Sequence, residues 1–197
     1  MKINLFSTPI YQFQFDGELL EKIQEEFQVV YDDHVNNNKF QDPFRDRRME
    51  LSNGTFNADI FTEYQPMVFL NNLSVVLKDY VSDFVQTEYD AEIRASWMTR
   101  MQLNQYCHIH SHSDFFGAHI SGVYYFKAQP DDAHLFFETP VNEAAFTPIG
   151  NHATKRILPQ TGQLVLFPSW LKHGVSTQLH DRDRVSVSFH LGLKFKQ

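Results

Sequence analysis

Residues 93–114 read IRASWMTRMQLNQYCHIHSHSD, and polar and apolar side chains alternate along most of the stretch. Alternate residues of an extended chain share a face. Trp97, Thr99, Met101 and Leu103 therefore fall on one side, and Arg100, Gln102, Asn104, Tyr106, His108, His110, His112 and Asp114 on the other. A period of two marks an antiparallel strand rather than a helix. The rhythm returns in HISGVYYF (119–126), HLFFE (134–138), GQLVLFP (162–168) and RVSVSFHLGLKF (184–195), with Pro, Gly, Asp and Asn between the runs. Strands this short and numerous close into a sandwich or jelly roll, which buries one face and limits open edges.

The amino-terminal part has a different rhythm. Leu20, Ile23, Phe27 and Val30 recur at helical spacing behind Asp16 and Gly17 and predict a helix over 17–31. Val68, Phe69, Leu73, Val76, Leu77, Tyr80, Val81 and Phe84 predict a second, more apolar helix within 63–87. A short strand ends near Phe15, and the polar stretch Asp32–Gly54 reads as a long loop, either a lid or a plain connection. With 197 residues and 42% apolar side chains, the expected product is one domain, 1–197. Its class is mainly β (α+β), a double-stranded β-helix core over about 93–195 with helical support over about 17–87.

Composition excludes several functions. The formal charge of −7 and scattered Lys and Arg disfavour nucleic acid as a partner. No apolar run has the length of a signal peptide or a membrane span, and the single cysteine, Cys107, permits no internal disulfide; a cytoplasmic address follows. No glycine-rich phosphate loop or G-x-S-x-G elbow is present.

The chemistry-bearing residues gather on two strands. Arg184, Ser186, Ser188 and His190 alternate with Val185, Val187, Phe189 and Leu191, so the last strand, like 93–114, has a polar face. Polar strand faces ordinarily meet solvent, but imidazoles in place of Lys and Glu point to a site. Neutral imidazole and carboxylate suit iron, manganese or zinc, and three such ligands on one side leave positions open for a chelating substrate and O₂. The near pair is His110 with His112 or His112 with Asp114, and His173 is the distant member. Arg184, eleven residues after His173, can return beside the metal on a hairpin and grip a carboxylate, with Ser186 adding a hydroxyl.

These residues give the chain a resemblance to the 2-oxoglutarate and Fe(II)-dependent oxygenase superfamily, and within it to a small branch found in marine bacteria and phages. The phrases that carry it are LFSTPIY (5–11), Trp97, His110-Ser111-His112, SGVYY (121–125), GQLVLFPSWLKHGV (162–175) and Arg184-Val185-Ser186. The resemblance implies Fe(II), 2-oxoglutarate and O₂ as cofactor and co-substrates, with decarboxylation of 2-oxoglutarate coupled to hydroxylation of a peptide, protein or small molecule. It makes His173 the distal iron ligand and Arg184 the anchor of the far carboxylate, with Tyr106 and Tyr124 lining that pocket. Two alternatives stay open: a cupin-type metalloenzyme that does not use 2-oxoglutarate, and a noncatalytic binding module. The aromatics of DFFGAH (114–119) suit a substrate mouth or a contact with a second copy of the chain.

Overall fold

A computed structural model describes residues 8–40, 53–54, 59–82, 84–113, 117–140 and 154–196. Its elements in chain order are β1 (Tyr11–Gln14), α1 (Gly17–Asn36), β2 (Asn53–Gly54), α2 (Ile60–Tyr64), α3 (Met67–Val81), β3 (Tyr89–Met101), β4 (Cys107–His110), β5 (Ile120–Lys127), β6 (Leu135–Glu138), β7 (Thr154–Ile157), β8 (Gln163–Pro168), β9 (His173–Val175) and β10 (Arg184–Phe195).

Two antiparallel sheets face each other, as expected from the alternating half of the chain. One has the order β1-β8-β5-β10-β3-β2 and the other β4-β9-β6-β7. Strand β10 lies between β5 and β3 and sorts its side chains by parity. Val185, Val187, Phe189 and Leu191 join Ile23, Phe27, Phe69, Leu73 and Leu77 in a core beneath the helices. Tyr125, Val165 and Phe167 of the large sheet meet Leu135, Phe137 and Ile157 of the small one in a second core between the sheets. Gly122 lies opposite Phe189, and a Cβ there would sit 2.1 Å from the Phe189 ring. The missing side chain is what lets that ring lie across β5.

The helices differ from expectation in two ways. The first runs further, to Asn36, while the second is split at Gln65 (φ 48°) and Pro66 into α2 and α3. Proline pushes the residue before it out of the right-handed helical region, so a continuous helix from 63 cannot form. The opened end of α3 is then closed from outside: the Glu26 carboxylate on α1 accepts the Val68 N–H at 2.7 Å and the Phe69 N–H at 2.9 Å. Those amides have no partner within their helix, and the negative charge suits its positive end. Glu26→Ala is expected to cost about 1–3 kcal/mol, read as a lowered urea midpoint with little change in the denaturant slope.

Residues 41–52 of the expected loop lie outside the described residues, and β2 pairs with β3 through Asn53 and Arg100. None of the described helices is long and apolar enough to cross a membrane.

Candidate metal and co-substrate site

Strand 93–114 is not continuous. It ends at Met101, turns through Gln102–Gln105 with Asn104 at φ 66°, and resumes as β4 in the other sheet. This turn overturns the expected parity of β3. In register with Ser186 and Ser188 are Thr99 and Trp97, so these face the space between the sheets. Arg100 is on the other side with Asp183, at 2.8 Å.

A second irregularity decides which imidazoles meet. Strand β4 pairs Cys107 with Val175 and His110 with His173, so three steps on β4 oppose two on β9. The extra residue of this β-bulge shifts the side-chain phase by one. Cys107 and His110 consequently share the inner face, Sγ 3.8 Å from Nδ1. By alternation His108, expected beside His110, falls on the face opposite Cys107 together with Tyr106, whose ring it meets edge-on at 4.8 Å. Tyr106 is thus turned away from the pocket it was expected to line.

His110, His112 and His173 converge. Their ring centroids are 4.4 to 5.0 Å apart, and one ligand nitrogen from each lies within 4.8 Å of the others. Two of the rings are already in a metal-binding tautomer. His110 Nδ1 lies 2.7 Å from the His108 carbonyl and His173 Nδ1 2.8 Å from the Leu171 carbonyl. A carbonyl only accepts, so each Nδ1 carries the proton and Nε2 carries the lone pair. Burial, and secondarily the neighbouring imidazoles, push His112 down to about 2 and His173 down to about 3. Neutral rings at neutral pH are what a divalent cation needs. The residues fit a metal. Asp114 lies outside the described residues.

Arg184 begins β10 and is 1% exposed. Its Nε donates to the Ala133 carbonyl at 2.8 Å, one terminal nitrogen reaches the Ser186 hydroxyl at 3.4 Å, and the guanidinium lies over the Tyr125 ring at 5.0 Å. The Ala133 loop is held by buried Gln178 and Asp132: Gln178 Oε1 accepts the Ala133 N–H and its amide donates to Asp132. Asp132 in turn is paired with Arg182 at 2.8 Å. Among the described residues no carboxylate pairs with Arg184, and a buried guanidinium without a counter-ion is an anion site. Cys107 stands between this cation and the imidazoles; burial raises its thiol to about 11, against the pull of Arg184.

Tyr124 is not brought to this pocket. It faces the helices, ringed by Phe15, Phe27 and Phe69, and its hydroxyl accepts from Gln24 at 2.8 Å. The neighbouring Tyr125 takes the position, because it is in register with Ser186. Its hydroxyl is fully buried, makes no well-formed hydrogen bond among the described residues, and lies near enough to Arg184 to feel the charge. Counting by twos from Ser121 through Val123 to Tyr125 would have selected it.

Comparison with known proteins agrees with this geometry. A family described as "Putative 2OG-Fe(II) oxygenase" matches residues 95–190, the span from β3 to the end of the polar face of β10. No curated protein matches the chain by sequence. Among solved structures, iron-bound HygX from Streptomyces hygroscopicus is 14% identical with a TM-score of 0.61, over 94% of this chain and 82% of its own. A Pseudomonas putida prolyl-4-hydroxylase is 16% identical with a TM-score of 0.61, over 97% and 94%. SnoN, an alpha-ketoglutarate dependent epimerase of nogalamycin biosynthesis, is 10% identical with a TM-score of 0.70, over 96% and 79%. At such identities the structures speak for the fold, a double-stranded β-helix, and the family match speaks for the chemistry. Over residues 95–190 the chain is similar in sequence to the 2-oxoglutarate and Fe(II)-dependent oxygenases, and over nearly its whole length it shares their fold.

Proposed function

We propose that His110, His112 and His173 hold Fe(II) and that Arg184, with Ser186 and Tyr125, receives the far carboxylate of 2-oxoglutarate. The observation that carries the proposal is the buried guanidinium of Arg184, which no carboxylate pairs among the described residues, on the Cys107 side of the triad. The guanidinium and the two hydroxyls supply donors to one carboxylate, a charge-assisted arrangement that fixes the co-substrate's direction. The imidazoles would hold the metal near the other end, and once bound it would supply the activation of O₂ that no side chain can provide. Residues of the second core, Val165, Phe167 and Phe137, wall the site against water. Arg184 as a merely structural residue, the cupin-type alternative, leaves a buried cation without a carboxylate partner among the described residues.

The acceptor is a peptide or small molecule. HygX has been solved with hygromycin B bound, and the P. putida protein is a prolyl hydroxylase. We favour a peptide side chain such as proline, on the near-complete mutual coverage with the latter. Anaerobic addition of Fe(II) and then 2-oxoglutarate is expected to produce the visible charge-transfer absorption of a chelated keto acid. His173→Ala is expected to abolish it, and succinate release in air is expected to rise with a hydroxylatable peptide. Unaltered absorption in His173→Ala overturns the ligand set.

A further inference from the structure

A fourth imidazole lies against the triad and has been given no part in it. His190, 3% exposed on β10, places its ring centroid 4.1 Å from that of His112, tilted by 56°. Trp97 closes the other side, edge-on to His190 at 5.0 Å and to His112 at 6.3 Å.

The orientation of His190 is itself determined. Its Nδ1 is 3.0 Å from the Ser121 hydroxyl, and Ser121 donates to the Ser169 hydroxyl at 2.9 Å. A hydroxyl has one proton, so Ser121 spends it on Ser169 and accepts from His190 Nδ1–H. Ser169 also holds the main chain at the site, because its carbonyl accepts the His112 N–H at 2.9 Å. The backbone of His112 and the ring of His190 are therefore tied to one serine.

The contrast among the three proposed ligands gives this network its meaning. His110 and His173 are each aimed by a hydrogen bond from Nδ1 to a main-chain carbonyl. Among the described residues no such bond aims the His112 ring; its neighbours there are the faces and edges of other rings. A ligand whose ring turns freely loses rotamer entropy on binding a metal and presents its lone pair in the right direction only part of the time.

We propose that His190 is a positioning residue: anchored by Ser121 and Ser169, its ring fixes the His112 imidazole in the direction the metal requires. The inference rests on the proposed ligand set. It assigns His190 contact with a ligand rather than with the ion, and packing rather than proton transfer as its means.

Co(II) titration of the whole protein tests this without turnover. Wild-type protein is expected to bind Co(II) with the visible d–d absorption of an imidazole-ligated ion. His190→Ala is expected to raise the dissociation constant about 10- to 100-fold, the usual effect of removing a ligand's outer support, and to alter that absorption. His190→Phe, which keeps a flat ring against His112 and has no metal-binding atom, is expected to recover most of the affinity and the wild-type spectrum. Ser121→Ala, which only unties the anchor, is expected to give a smaller loss and serves if His190→Ala does not fold. Wild-type affinity in His190→Ala or Ser121→Ala overturns the proposal. So does His190→Phe binding as weakly as His190→Ala, which makes His190 a ligand in its own right. No Co(II) binding by wild-type protein overturns the ligand set beneath it, a separate result.

Discussion

Arg184→Gln is expected to raise the concentration of 2-oxoglutarate needed to form the anaerobic Fe(II) complex by about 10²- to 10³-fold while leaving metal affinity near that of wild type. The side chain is 1% exposed and committed to Ala133 and Ser186 in the absence of any counter-ion among the described residues. Its desolvation has already been incurred in folding, so the arriving carboxylate meets a cation that water no longer screens. Losing one member of a buried, hydrogen-bonded charge pair costs about 2–5 kcal/mol, and each 1.4 kcal/mol is about a factor of ten. Arg184→Lys is expected to recover only part, since a point charge cannot reproduce the planar fork over Tyr125. Equal co-substrate affinity in wild type and Arg184→Gln, measured by the charge-transfer absorption, would show that the carboxylate binds elsewhere.

The second large effect concerns acid. His112, His173 and His190 are held neutral in the folded protein, pushed down first by burial and then by neighbouring imidazoles, His110 among them in each case, to about 2, 3 and 4. An unfolded histidine takes up its proton near 6.5. The unfolded chain therefore binds protons that the metal-free folded chain refuses. Stability is full above about pH 7, declines as pH falls through 6.5, and keeps declining until the folded values are reached. Each such histidine contributes about 1.4 kcal/mol per pH unit inside the window, so three together give about 4. Buried His34, also lowered chiefly by burial, adds to the same side. Against a usual total of about 5–15 kcal/mol, the metal-free protein is expected to unfold by about pH 4–5. Urea midpoints by circular dichroism at pH 7, 6 and 5 give the check; equal midpoints at pH 7 and 5 would refute the neutral cluster.

The sequence was most readable where a single physical rule governed. Alternation in 184–195 gave both the strand and its sorting, because β10 is an inner strand whose register admits no slip without moving Arg184 and His190 into the apolar core. His173 was readable as a candidate from its place after the apolar strand β8; its neighbour on β9, Gly174, is where a Cβ would meet Phe136 at 2.8 Å. What parity alone could not supply was its own interruptions. The turn at Gln102–Gln105 and the extra residue between Cys107 and His110 each change the phase, and neither is marked by Pro or Gly. Tyr106, Arg100 and His108 were misassigned for that reason. Tyr124 failed differently: two adjacent buried tyrosines differ only in which layer they serve, and that depends on Gln24 and Ser186, far away in the chain. His190 could be seen on the polar face, but its nearness to His112 is set by the curvature that brings two sheets together.

The offset on β4 also says what kind of change the protein can absorb. Side chains between Cys107 and His110 can be exchanged with modest consequence, since His108 and Ile109 do not face the triad. The number of peptide units between them is another matter, because it sets the rotation at which His110 emerges opposite His173. In this segment information resides in chain length rather than in residue identity, and relatives compared with it are best aligned by counting inward from the two facing imidazoles.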